Sequence, residues 1–231
     1  MRIADDWQRP FLLDPIYPGA WRALAREPAG LLVQRLDELG MQPGNAAVDA
    51  VRVLKLPFYP RWILCDLQFA AGADARKGEA ILCLYRPDGC TPIDGRSERV
   101  RGHNDRHGVS LETEERRTAY LEFFCTAVFG EEGPFRIVHP STPLERTGNN
   151  EAPIDPDKIV PLRPIAATKQ GDRGIECTVS YGRTLFTAEF VVDAEGTVVM
   201  VDDSQILDMV AIKPELQFEG SRRRLLAEVA G

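Results

Sequence analysis

The chain has 231 residues, of which 44% are hydrophobic and 27% charged, a composition that excludes wholesale disorder and suits one large domain or two small ones. Its 28 Lys and Arg face 35 Asp and Glu, for a net charge of −7, which argues against a protein built to coat nucleic acid, because that affinity rests on surplus cations facing phosphate. The first residues, Met1-Arg2-Ile3-Ala4-Asp5-Asp6-Trp7, lack the apolar run of a secretory signal, and no stretch approaches the roughly 18 apolar residues of a membrane helix; the expectation is a soluble cytoplasmic chain with no membrane partner.

In chain order, Trp21, Leu24, Leu31, Leu32, Leu36 and Leu39 recur at helical spacing. Pro28 interrupts the run, which predicts a short helix near 19–27 and a longer one near 29–39, ended by Gly40. Asn45 reads as the cap of a further helical turn through Leu54. Residues 61–70 and 79–86 are rich in Ile, Leu, Trp, Phe and Tyr around a small, polar connection, the pattern of a hairpin. Pro87-Asp88-Gly89 closes the second strand. The polar stretch Thr91–Gly108, with glycines at 95, 102 and 108, reads as an irregular loop.

The clearest helix runs from about Leu111 to Phe129, because Tyr120, Leu121, Phe124, Cys125 and Val128 share one face and Glu112, Glu114 and Glu115 crowd its positive end. Gly133–Val138 should return as a strand. Pro140, Pro143, Pro153 and Pro156 make residues 139–157 a linker or long excursion. Ile175, Cys177, Val179 and Tyr181 then alternate with polar residues, as do Phe186, Ala188, Phe190 and Val192. With Thr197–Val201 they predict an antiparallel meander whose apolar face the 111–129 helix covers. A short helix capped by Asp203 or Ser204 and a frayed tail at Ser221–Arg224 complete the reading.

Few residues point to chemistry. Cys83, Cys90, His103 and His107 are spaced C-x6-C-x12-H-x3-H, whose second half fits a zinc arrangement while its first spacing is too long for a knuckle. The plainer account makes Cys83 a core thiol and Cys90 a turn residue. The segment Gly102-His103-Asn104-Asp105-Arg106-His107-Gly108 packs two imidazoles and a carboxylate between glycines, a set able to supply a general base, its orienting acid and an anion clamp, although the same residues make ordinary turns. Cys125 with His139 or with a histidine of the 91–108 loop would be a nucleophile pair, but Cys125 lies on an apolar stripe, where burial makes a thiol inert. Asp66 and Glu79 on neighbouring strands resemble a nuclease-type acidic pair without its lysine, which Ile81 replaces. Asp202 and Asp203 are adjacent on a strand and so point to opposite faces. Dinucleotide, P-loop, nucleophile-elbow and zincin motifs do not occur.

The fold expected is α+β: an antiparallel sheet, meander plus hairpin, packed by one long helix and flanked by N-terminal helices, as a single domain over 1–231. Halves 1–139 and 158–231 joined by linker 140–157 are the alternative. The function expected is a non-catalytic binding or accessory protein without a cofactor, recognising a protein partner or small ligand through 91–108, 139–157 or an exposed sheet edge. The alternative is a hydrolase or metal-assisted enzyme using His103, Asp105 and His107, with zinc held by Cys90, His103 and His107.

Overall fold

The computed structural model describes residues 1–4, 7, 11–41, 47–69, 79–146, 154–213, 215–219 and 222–225. The hairpin connection 71–78, the proposed cap at Asn45, part of the expected linker (147–153) and Ser221 lie outside the described residues. Two units divide the chain: Met1–Asp94 with Leu216–Gly231, and Gly95–Glu215.

The first unit is one sheet and one helix. Helix α1 spans Arg26–Glu38. Pro28 is the third residue of that helix, inside the first turn, where no backbone N–H is needed, so proline begins the helix instead of splitting it. Gly40 ends it at φ +82°, as its position in sequence implied. Strands β1 (Ala47–Lys55), β2 (Ile63–Phe69), β3 (Ala80–Arg86) and β4 (Gly89–Ile93) follow as antiparallel neighbours. The helical turn expected up to Leu54 is thus strand: Val48, Val51 and Val53 are β-branched and all buried, which suits a pleated surface better than a helix. Along the outer side of β1 run Arg2–Ile3, in parallel, and Arg22–Ala23, antiparallel. Chain residues from the far end close the other side, with Arg222–Leu225 pairing β3 and Leu216–Glu219 pairing that strand.

One face of this sheet packs on α1, with Ala29, Leu32, Val33 and Leu36 against Val51, Val53, Cys65 and Leu67. Alternate residues, Arg52, Asp66 and Gln68, point to the other face and are also buried.

The second unit carries α2 (Ser97–His107) and α3 (Glu114–Ala127). The side chain of Thr113 caps α3 by accepting from the Arg116 N–H at 3.3 Å. Strands β5 (Gly174–Tyr181), β6 (Thr184–Val192) and β7 (Val198–Leu207) form an antiparallel meander. Arg136–Val138 and Arg163–Ile165 pair with the free side of β5. Leu121 and Cys125 of α3 pack on Ile175, Cys177, Val179, Ala188 and Phe190.

The fold class expected from sequence is therefore corrected. Secondary-structure classes are mixed, but no one long helix packs one antiparallel sheet: among the described residues there are three α-helices of similar length and several sheets, and the larger sheet contains a parallel pair. A single helix stands where two N-terminal helices were expected. The stretch read as a loop up to Gly108 contains α2, and the short helix expected after Asp203 is the continuation of β7. The tail at 222–225 is a strand. No helix among the described residues is long and apolar enough to cross a membrane.

Candidate partner-binding site

Strand β7 is the last in its sheet. It pairs with β6 on one side, and among the described residues no strand pairs with its other side. Unpaired N–H and C=O groups along such an edge are a template for another chain. At its start the strand is apolar as well as open: Val199 is 50% and Met200 41% exposed. A register shift makes Phe190 face Met200 and Glu189 face Asp202, leaving Val201 as the extra residue. That bulge places Met200 and Asp203 on the same side of the sheet, since their partners Phe190 and Ala188 both face α3. The bulge is braced by Gln170, whose Nε2 donates to the Val201 carbonyl at 3.3 Å, and by Lys169, whose Nζ is 2.5 Å from Asp202 Oδ2.

Beside the open end of β7 lies a groove of about 160 Å³. Phe124, Val128, Phe135, Phe190, Val198 and Met200 line it. Phe135 is held by stacking on Tyr181, ring centroids 4.3 Å apart. The start of β7 is fixed by a polar knot at the preceding turn: Tyr120 Oη donates to the Gly196 carbonyl at 2.8 Å, and Asn104 Nδ2 donates to Tyr120 Oη at 2.8 Å. Helices α2 and α3 thereby anchor the turn that presents Val198. An extended segment lying along the edge could place one aliphatic side chain in this groove and a cation near exposed Asp203.

The residues singled out from sequence are distributed as follows. His103 and His107 lie four residues apart on α2, with ring centroids 5.0 Å apart and edge-to-face. His103 is fully buried, while Asp105 and His107 are exposed. Asp105, two positions from each, lies on another side of the helix. The imidazoles are brought together and the carboxylate is not. Cys90 belongs to the first unit, on β4, with Sγ 3.7 Å from Met41 Sδ. Among the described residues no three His, Cys, Asp or Glu side chains form a group able to hold a metal ion.

His139 is bonded to Glu122, Nε2 to Oε1 at 2.5 Å, and this bond raises the imidazole above its usual value despite partial burial. Cys125 is pushed well up by burial and then by Cys177 and Glu122, so its thiol stays protonated and unreactive. Asp66 and Glu79 are both neutralised by arginines. Asp66 Oδ2 accepts from Arg52 Nε at 2.8 Å and from Arg223 Nη2 at 2.5 Å, and Glu79 Oε1 is 2.7 Å from Arg222 Nη1. Arg52 also donates to the Leu13 carbonyl at 2.9 Å and stacks on Phe11, 4.3 Å from its centroid.

No family model, curated protein or solved structure matches the chain. The functional reading accordingly rests on the site's own chemistry. The open edge had no signal in sequence, because a strand's alternation shows which face is apolar and not whether its sides are paired. The groove combines α3 with residues near 135, 190 and 200, a convergence that only the fold creates.

Proposed function

We propose that this chain is a non-catalytic binding protein that recognises an extended segment of a protein partner by strand addition at β7. The supporting observation is the apolar start of β7, where Val199 and Met200 are exposed and where no strand among the described residues pairs with one side, set against a groove of about 160 Å³ large enough for one side chain. Main-chain hydrogen bonds along the edge supply affinity, and the groove supplies selectivity for an aliphatic residue. Asp203, exposed on the same side as Met200, favours a Lys or Arg in the ligand.

Selection from a displayed library of random peptides tests this reading without a known partner. Enriched peptides should share an aliphatic anchor followed by a basic residue. Met200→Asp, which puts charge at the groove, should weaken them at least about tenfold, a loss of roughly 1.4 kcal/mol. Absence of any enriched pattern, or equal binding by Met200→Asp and Val199→Pro, contradicts the proposal.

One observation supports a small-ligand reading instead. The first unit has a groove of about 640 Å³ over Tyr17, Val53, Leu54 and Ile63, with Arg22 and Lys55 on its rim. Its size is that of a small-molecule site, and its cations suit an apolar ligand ending in a carboxylate. Fluorescent fatty-acid displacement that Lys55→Glu abolishes would favour this reading over the first.

A further inference from the structure

Four sulfur atoms form a row on the α1-facing side of the first unit's sheet. Cys65 on β2 lies directly opposite Cys83 on β3. Cys83 faces Pro92 and Cys90 faces Tyr85 in the β3–β4 ladder, so Cys83 and Cys90 share one face on a diagonal, and Cys90 Sγ is 3.7 Å from Met41 Sδ. Cys65 and Cys83 are fully buried and Met41 nearly so, while Cys90 is half-buried. The row therefore opens toward solvent at Cys90, next to the thioether.

The spacing has chemical content. With metal–sulfur legs of roughly 2.3 Å, two sulfurs of one tetrahedral or trigonal site stand roughly 3.8–4.0 Å apart. Cys90 and Met41 are already set close to that distance. All donors are soft, and thiolate with thioether is the set that selects Cu(I). Zinc, by contrast, is held by four protein ligands in a structural site.

We propose that Cys83, Cys90 and Met41 bind one soft monovalent d10 cation, Cu(I) or its surrogate Ag(I). Two S–H bonds break and two metal–thiolate bonds form. Met41 lends a lone pair without losing a proton, both protons leave to solvent, and no oxidation state changes. The bound complex carries one negative charge. Arg35 stands at the turn before β4, donating to the Pro87 carbonyl at 2.8 Å while its Nη1 pairs with Glu38 Oε2 at 2.6 Å.

The test is anaerobic titration of the reduced full chain with Cu(I) held by bicinchoninate, followed by X-ray absorption at the copper edge. One ion per chain should be withdrawn from the chelator, with a shell of three sulfurs at roughly 2.3 Å. Cys90→Ser should lose the ion, and Met41→Leu, which conserves volume, should weaken it about tenfold by removing one soft donor. Cys125→Ala should bind as the parent does. Retention of copper by the chelator, a shell of nitrogen or oxygen, or unaltered binding in either Cys90→Ser or Met41→Leu would overturn the assignment. Circular dichroism of each variant separates loss of the ion from loss of the fold.

Discussion

Arg223 Nη2 donates to Asp66 Oδ2 at 2.5 Å across 157 residues of chain. The pair is buried at both ends, Arg223 2% and Asp66 0% exposed, and it ties the strand Arg222–Leu225 to the middle of the first unit's sheet. Arg52 contacts the same carboxylate oxygen from β1, with Nη2 at 2.6 Å. Two guanidinium groups thus share one acid, which makes the three residues unequal.

Asp66→Ala leaves both cations buried and facing each other, so it should cost roughly 3–5 kcal/mol, the range for breaking a buried ion pair by removing one partner. Arg223→Ala should cost less, because Asp66 keeps Arg52. Urea unfolding of the two variants gives the order. A larger loss for Arg223→Ala would contradict the shared-acid arrangement.

Gly196 holds the turn before β7 at φ +82°. A Cβ there would lie 2.4 Å from Asn104 Nδ2 and 2.8 Å from Tyr120 Oη. Gly196→Ala should destabilise by roughly 1–2 kcal/mol through left-handed backbone strain alone, and more by displacing the two hydrogen bonds that fix the turn. Peptide binding at the edge should weaken in the same variant. Unchanged stability by urea unfolding would show that the knot of Asn104, Tyr120 and Gly196 does not hold this turn.

The bond between His139 and Glu122 makes a pH prediction. The folded imidazole lies above its usual 6.5, chiefly through the hydrogen bond to Glu122. Its contribution is thus fully present below the unfolded value and is lost as pH rises through the higher folded one. The stability difference between the parent and Glu122→Gln should accordingly shrink from about pH 6 to about pH 8. Unfolding midpoints across that interval, with an NMR titration of His139, measure it. A difference that grows with pH would reverse the sign and refute the pairing.

The sequence made some elements legible and hid others for physical reasons. The meander of β5 to β7 follows from alternation, because one side of each strand is apolar, and the hairpin of β2 and β3 from two runs rich in apolar and aromatic residues around a small, polar connection. Helix α2 escaped because its buried residues, Val100, His103 and Asn104, have helical spacing but include only one apolar side chain. Hydrophobic periodicity has nothing to count there. The triple arginine at 222–224 reads as solvent-facing charge, since nothing local announces that Asp66 awaits Arg223. Asp105 appeared to join two histidines because it lies between them in sequence, and the helix separates them by turning it away. Met41 and Cys90 are 49 residues apart, so no sequence spacing signals that their sulfurs meet.

The most direct measurement of partner recognition is amide hydrogen exchange along β7, with and without a peptide selected for binding. Strand addition predicts new protection within Val198–Met200 and none on β6, the strand it already pairs with, together with its disappearance in Met200→Asp. Protection confined to the first unit, around Tyr17 and Leu54, would contradict the edge as the binding surface.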